Sequence, residues 1–367
     1  MNELITERVC YGRHNSAVKA LPVVLALVYL YLESDGVTGD LDGYWPSGTL
    51  RAVSALLVIA PVCAACAAWE VGRLRRGGVF DFPGVRAPGQ AVLRSTWPVA
   101  LLGVTGLAVS LAMVATRLRA VAGSPDLRVL GMGAAVLAGH VAVGVVLGRV
   151  LSPVVATPTC LLGSYAWLVY PPSVLPFSIR HLTGFDTDCC QTDSRIATWG
   201  VLAPAVIGLC LVAGSVLVFA TRKPRPLPFV AAGCVVTSGV LVAVHGVRQF
   251  GVDAVQPRAE RALVCGGNGP VVCVWPEHRA ALPDVIQSAA SVTRALAGLG
   301  IVTPSRASES TTDGTSWVFA VSAVSSASER AASISGALIP SEGPACQPPH
   351  SWRGGMSVPL LQAWLEA

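Results

Sequence analysis

The sequence predicts a mainly α-helical membrane protein, with a bundle of seven transmembrane helices followed by a small extracytoplasmic α+β domain. Three observations predict this class. Hydrophobic residues make up 53% of the 367 residues, before the 37 glycines are counted. Charged residues make up 13%, about half of their usual share in a soluble domain. The hydrophobic residues also form long uncharged runs, and a run of about 20 such residues can cross a bilayer.

The predicted spans all precede residue 248. We place the seven helices at about residues 17–32, 51–71, 96–116, 129–148, 152–172, 197–220 and 227–247. Lys19 lies near one end of the first span, where its ammonium group can reach the membrane interface. The alternative for this span is a cleaved signal peptide. We interpret it as a retained anchor, because the Glu-Ser-Asp-Gly that follows contains no small-residue cleavage motif.

The positions of arginine and lysine predict the orientation, because cytoplasmic loops are enriched in both. Basic residues cluster in residues 1–19, 73–94 and 221–226. With seven spans, these three clusters lie on one side. We therefore predict a multi-pass protein of the bacterial plasma membrane, with residues 1–16 in the cytoplasm and residues 248–367 outside. The loop 117–128 departs from the rule, because it carries three arginines on the predicted outer side.

The pattern of residues 248–367 predicts a small α+β domain, with two strands, a helix, a third strand and a second helix. Residues 303–315, which are rich in serine and threonine, are predicted to be a loop before the third strand. Cys265 and Cys273 flank a Gly-Gly-Asn-Gly-Pro turn between the first two strands. In an oxidising compartment this pair is predicted to form a disulfide bond. A possible second disulfide joins Cys346 to Cys189 or to Cys190, and the sequence leaves that choice open.

The segment Val-Cys-Val-Trp-Pro-Glu-His at residues 272–278 is the most distinctive string in the domain. It places Trp275, Glu277 and His278 just before a predicted helix, where they form a candidate extracytoplasmic site. The structural alternative is that Trp275 packs on the hairpin and that Glu277 is a favourable charge near the helix start.

The loop 180–195 is the second candidate site, because it contains His181, Asp186 and Asp188 beside two cysteines. These side chains are of the types that bind metals. Their spacing matches no closed zinc pattern, and the alternative is a solvated acidic loop held by a disulfide. We predict no metal ion, no cofactor and no catalytic residue.

Cys63 and Cys66 form a Cys-x-x-Cys pair within the second span. One interpretation is a membrane thiol-redox site, and the other is that these small residues pack against a neighbouring helix. The predicted orientation places the pair in the cytoplasmic half of the span, away from extracytoplasmic thiols. We therefore interpret both cysteines as packing residues.

Motifs for nucleotide binding and hydrolysis are missing from the sequence. Lys19 and Lys223 are the only lysines, and neither lies in a Gly-x-x-x-x-Gly-Lys-Ser/Thr loop. The sequence also contains neither His-Glu-x-x-His nor Gly-x-Ser-x-Gly. We expect the lipid bilayer to be the main partner, with a separate ATPase subunit if transport depends on ATP, and no nucleic-acid partner.

The pattern from Cys265 to His278 resembles that of a group of uncharacterised actinobacterial multi-pass membrane proteins, and the loop 181–190 is similar to theirs too. The group has no established function. It is distantly similar to permease subunits of ABC-type exporters, which usually have six spans. This resemblance implies a permease-like subunit that lacks its own ATPase. The alternatives are a membrane-anchored binding or sensing protein and a membrane thiol-redox or metal-dependent enzyme.

Overall fold

The computed structural model describes residues 15–34, 43–80, 88–118, 121–184, 190, 192–219, 226–310, 317–319 and 327–336. Within these residues, a bundle of apolar helices is followed by a small domain of helices and short strands. The bundle helices are α1 (Ser16–Ser34), α2 (Trp45–Ser54), α3 (Leu56–Arg76), α4 (Pro88–Arg117), α5 (Leu127–Val150), α6 (Pro153–Val169), α7 (Thr198–Phe219) and α8 (Pro226–Val247).

Among the described residues, six stretches of helix are long and apolar enough to cross a membrane. Five of them are α1, α4, α5, α7 and α8, and the sixth is α2 and α3 taken together across a turn at Ala55. These six correspond to predicted spans. The seventh prediction, at residues 152–172, corresponds to α6, which has 17 residues and is about 26 Å long. The hydrocarbon core of a bilayer is about 30 Å thick, so α6 alone is short for a span.

Small residues allow α3 and α5 to pack closely at the centre of the bundle. Gly144 and Gly148 of α5 lie against the carbonyl oxygens of Ala64 and Ala68, where a Cβ atom on either glycine would overlap the α3 backbone. Gly208 of α7 lies just as close to the backbone of α5. Close backbone approach between small residues is a common way for membrane helices to associate.

The outer helices expose apolar side chains instead. Val23 and Leu30 of α1, Leu162 of α6 and Leu241 of α8 are each more than half exposed. Residues of α3, by contrast, are mostly buried. The bundle is therefore apolar both inside and outside, as expected for a protein surrounded by lipid.

We call the two ends of the bundle the N-terminal end and the domain end. At the N-terminal end, the backbone N–H of Ser16 donates to Glu70 and the side chain of Asn15 donates to the carbonyl oxygen of Ser95. At the domain end, Arg117 pairs with Glu33 at the ends of α4 and α1. Helices α1 and α4 therefore run parallel from the N-terminal end to the domain end.

The described residues form two small sheets, of which the second lies wholly in the C-terminal domain. Strands β1 (Ser194–Ile196) and β2 (Val255–Pro257) pair antiparallel, and β1 leads directly into α7. The second sheet has the order β3 (Val264–Gly266), β4 (Val271–Val274), β5 (Arg306–Ser308) and β6 (Trp317–Val318). The β3–β4 pair is antiparallel, and the β4–β5 and β5–β6 pairs are parallel.

Helix α9 (Leu282–Gly298) connects β4 to the parallel strand β5 and packs on the sheet. Val285, Ala289 and Leu296 of α9 join Val272 and Val274 in the domain core. The helix α10 (Ala327–Gly336) contributes Ile334 to this core. The structure therefore confirms an α+β arrangement near the C-terminus. It differs from the prediction at β5, because we expected residues 303–315 to be a loop.

Candidate functional site at the junction of bundle and domain

The hairpin β3–β4 carries the predicted disulfide bond. Cys265 and Cys273 face each other directly in the register of the two strands, with Cα atoms 4.1 Å apart and the sulfur atoms bonded. The glycine-rich turn between them includes Gly267, which has a positive φ of 93° that few other residues adopt. The bond fixes β4, and β4 leads straight into Trp275.

Trp275 and His278 are both fully buried and are joined by one carboxylate. Oε2 of Glu309 accepts the backbone N–H of Trp275 at 2.7 Å, and Oε1 lies 2.8 Å from Nδ1 of His278. The backbone N–H of Glu309 donates to the carbonyl oxygen of Cys273. Because the Glu309 side chain is 1% exposed, these hydrogen bonds form in a low dielectric, where losing a partner is costly.

Glu277 points away from this buried network and binds Arg258. The Arg258 guanidinium donates to both carboxylate oxygens, at 3.0 Å to Oε1 and 3.2 Å to Oε2. The two side chains are 14% and 18% exposed. A bidentate pair with this little exposure is geometrically specific and is screened less than a surface pair.

Arg258 also lies between two aromatic rings from different parts of the molecule. Its guanidinium carbon is 4.3 Å from the Trp275 ring centre and 5.0 Å from the Tyr44 ring centre. Tyr44 immediately precedes α2, so this cation–π contact joins the domain to the bundle. Burial raises the pKa of Tyr44 above its ordinary value, and the charge of Arg258 opposes that rise only in part.

A third set of contacts ties the same arginine to the segment that enters α7. Arg258 Nη1 donates to the carbonyl oxygen of Thr192 at 2.7 Å, and its backbone N–H donates to Asp193. Next to these bonds, β1 pairs with β2, and the backbone of Ala197 donates to Ala254. Arg258 therefore contacts the domain, the start of α2 and the approach to α7 at once.

His181 belongs to a different environment. It is 3% exposed, its Nε2 lies 3.1 Å from the carbonyl oxygen of Gly251, and its ring meets the Phe250 ring edge-on at 5.8 Å. These partners follow the end of α8, whereas those of His278 lie within the domain. The two candidate sites predicted from the sequence thus have separate sets of partners.

Several predicted residues lie outside the described part of the chain. They are Asp186, Asp188, Cys189 and Cys346. Cys190 is described, is buried and takes part in a disulfide bond. Its partner is outside the described residues, because every other described cysteine is either free or in the Cys265–Cys273 bond. The pairing of Cys346 therefore stays a prediction.

The described residues contain no group of three or more His, Cys, Asp or Glu side chains that could hold a metal ion. Cys63 and Cys66 are free thiols buried within the bundle. The Sγ atom of Cys63 lies 3.7 Å from the carbonyl oxygen of Val99 in α4. This contact is of the kind expected for a packing residue.

Acidic partners accompany two of the three arginines that departed from the charge rule. Arg117 pairs with Glu33 at 3.4 Å, and Arg128 pairs with Asp126 at 2.7 Å. Asp126 also caps the start of α5. Burial by itself would raise the pKa of Asp126, but hydrogen bonds from Arg128 bring it below its ordinary value. Both arginines are therefore locally neutralised.

Sequence reasoning missed Arg258, Glu309 and Tyr44, which organise the junction. Arg258 follows Pro257 in a stretch with no motif, and Glu309 lies in a segment rich in serine and threonine. The one sequence signal for the site was Trp275-Pro-Glu277-His278, because a carboxylate and an imidazole require polar partners when buried.

Comparison with known proteins matches part of the chain to a family model. The family described as a domain of unknown function (DUF7224) matches residues 272–367. The match includes Trp275, His278 and Glu309 but begins after Arg258. No curated protein and no solved structure matches the chain. The match agrees with the expected resemblance to an uncharacterised family, and it gives no support to an actinobacterial source or to a likeness to exporter permeases.

Proposed function

We propose that this chain is an integral plasma-membrane protein whose α+β domain lies outside the cell and acts as a binding or sensing module. In this proposal, the domain reports its bound state to the helix bundle through Arg258. The contacts of Arg258 with Glu277, Trp275, Tyr44 and Thr192 carry the proposal.

The distribution of charge supports the proposed orientation. Arg73, Arg75, Arg76, Arg94 and Arg149 all lie towards the N-terminal end of the bundle. Arg75 donates to the last carbonyl groups of α5 there, and Arg149 stacks on Phe219. At the domain end, Arg117 and Arg128 have acidic partners. This concentration of arginines at the end opposite the domain is what the positive-inside rule expects of a cytoplasmic N-terminal end.

The path of the chain after α5 supports an odd number of crossings. Pro153 at the start of α6 lies against Gly72, near the end of α3. After α6, the chain continues through two short 3₁₀ helices, Pro171–Ser173 and Phe177–Leu182. His181 then contacts Gly251 beyond the end of α8. In this proposal, α6 and the 3₁₀ segments together make the short seventh crossing.

Coupling through Arg258 has a simple physical basis. A ligand can shift a conformational equilibrium only by binding one state better than the other. A ligand that moved Glu277 or Trp275 would weaken the bidentate pair and the stacking together. Arg258 would then exchange its contacts with Tyr44 and Thr192 for water, which changes the starts of α2 and α7.

Hydrogen–deuterium exchange of the full-length protein in detergent tests this coupling. Arg258→Gln removes the bidentate pair and the cation–π contacts, so we expect faster exchange in residues 192–197 and 254–258. Arg261→Gln is the matched control, because Arg261 is exposed and lies three residues away. The proposal would be contradicted if each of the two segments exchanged at the same rate in Arg258→Gln as in the wild type.

A permease-like subunit of an ABC-type export system, with a separate ATPase, is the second candidate function. The six helical stretches of spanning length among the described residues favour it, as does the basic N-terminal end where an acidic partner could dock. Purification of the tagged chain from its own host should then recover a protein with a phosphate-binding loop. That protein should be lost in the double variant Arg73→Glu, Arg76→Glu. Recovery of no such protein from either form would leave only the first proposal.

A further inference from the structure

A groove runs between α1 and α4 at the domain end of the bundle, apart from the junction at Arg258. Its volume is about 380 Å³, within the range typical of small-molecule sites. The described residues that line it come from these two helices alone, with Tyr29 and Glu33 on α1 and the remainder on α4. Because both helices are candidate spans on the outside of the bundle, the groove opens towards the surrounding lipid.

The wall formed by α4 changes from apolar to polar along the helix. Val109, Ala112 and Met113 line the deeper part, and Thr116 and Arg117 line the part nearest the helix end. Val109 precedes Arg117 by two helical turns, which places it about 12 Å deeper along the axis. An apolar wall below a charged rim matches a molecule with a hydrocarbon chain and a polar headgroup.

The rim carries one charge of each sign. Arg117 Nη2 lies 3.4 Å from Glu33 Oε1, and the two side chains are 52% and 40% exposed. A single contact between two exposed side chains is weak. Each group can therefore exchange this contact for another partner of opposite charge. The guanidinium group suits a phosphate, and the carboxylate suits an ammonium group that can donate hydrogen bonds.

We propose that this groove binds a zwitterionic phospholipid with a primary ammonium headgroup, of the phosphatidylethanolamine class. Its phosphate binds Arg117, its ammonium group donates to Glu33, and one acyl chain lies along Val109, Ala112 and Met113. The inference rests on the proposed insertion into the membrane. It is independent of any role of Arg258 and of the α+β domain.

Two related lipids separate the contributions of the rim charges. Phosphatidylcholine has the same phosphate, but its quaternary ammonium group has no N–H to donate to Glu33. Phosphatidylglycerol has the phosphate but no cation. Phosphatidylethanolamine should therefore bind more tightly than either lipid.

Native mass spectrometry of the full-length protein, titrated with the three lipids carrying identical acyl chains, tests the proposal. We expect the wild type to bind phosphatidylethanolamine about threefold more tightly than phosphatidylcholine, for one contact between partly exposed charges. Glu33→Gln should remove that preference. Arg117→Gln should weaken the binding of all three lipids about threefold, and Arg117→Lys should restore part of it.

Two further variants locate the bound lipid. Ala112→Trp fills the groove and should reduce binding of every lipid, whereas Arg94→Gln removes an arginine near the other end of α4 and should leave binding unchanged. Equal binding of phosphatidylethanolamine and phosphatidylcholine by the wild type would overturn the proposal. So would a preference for phosphatidylglycerol, or a preference that persists in Glu33→Gln. If Ala112→Trp fails to fold, the lipid preference of Glu33→Gln decides between the outcomes, because this substitution keeps the size of an exposed side chain.

The test also separates this proposal from the one on which it rests. A chain that is not inserted in a membrane would fail to fractionate with membranes in the first place. A properly inserted chain without the lipid site would keep its exchange protection at residues 192–197 while showing no preference among the three lipids.

Discussion

Different kinds of contact stabilise the helix bundle and the C-terminal domain internally. In the bundle, Gly144 and Gly148 bring α5 against the α3 backbone, and Gly208 brings α7 against α5. In the domain, the Cys265–Cys273 disulfide bond and the buried Glu309 carboxylate determine the arrangement. A bundle in lipid gains little from hiding apolar side chains, so it depends on shape. A small domain in water has a small core and needs cross-links and satisfied polar groups.

The largest effect should come from breaking the polar network of the domain. Glu309→Ala removes the carboxylate that accepts the buried backbone N–H of Trp275 and contacts Nδ1 of His278. We expect a loss of about 3 kcal/mol in the free energy of unfolding of the domain. Glu309→Gln should cost less, because its amide oxygen can still accept one hydrogen bond. Chemical denaturation followed by domain-specific exchange measures both, and equal stability of Glu309→Ala and the wild type would contradict this description.

Removing the disulfide bond should have the next largest effect. The double variant Cys265→Ser, Cys273→Ser opens a loop of eight residues, which corresponds to about 2.5 kcal/mol of chain entropy. The loss should be confined to the domain, with the bundle unchanged. A reducing agent added to the wild type offers an independent comparison, and it should reproduce the lowered midpoint of domain unfolding if the bond is accessible.

A single methyl group should destabilise the bundle by a somewhat smaller amount. Gly144→Ala places a Cβ atom against the Ala64 carbonyl oxygen, and overpacking of this kind costs about 2 kcal/mol. Gly131→Ala on the same helix is the matched control, because nothing lies within 4 Å of the added atom. The control should gain stability, since alanine favours helix more than glycine does. Thermal unfolding in detergent should therefore shift in opposite directions for the two variants.

The smallest effect should come from loosening the contact between the two regions. Arg258→Gln should leave each region folded and cost about 1–2 kcal/mol, because it removes a partly buried charge-assisted pair. The measurement is the rate of protease cleavage between α8 and β3 in the full-length protein. Faster cleavage in Arg258→Gln than in Arg261→Gln is the expected result, and identical rates would mean that Arg258 does not hold the junction.

The same contrast explains what could be predicted from the sequence. Long uncharged runs identified the apolar helices, because the bilayer tolerates few charges along a span. Cysteines on either side of a glycine-rich turn identified the hairpin and its disulfide bond. Both signals are local in sequence.

The junction depends on contacts that are distant in sequence. Glu309 and Trp275 are 34 residues apart, and Arg258 contacts Tyr44, which lies 214 residues earlier in the sequence. No residue pattern in a single sequence predicts contacts between residues this far apart. The turn at Ala55, which joins α2 to α3 within one candidate span, was missed for a related reason: nothing in its neighbouring residues marks a break in the helix.

The most direct test of the account is the sidedness of its two ends in intact cells. Val302→Cys places a thiol at a position in the domain that is 93% exposed. Arg94→Cys places a thiol near the N-terminal end. With the wild type measured in parallel to subtract the labelling of native thiols, an impermeant thiol reagent should label Val302→Cys on intact cells and Arg94→Cys only after lysis. Labelling of both only after lysis would place the domain in the cytoplasm and contradict the account.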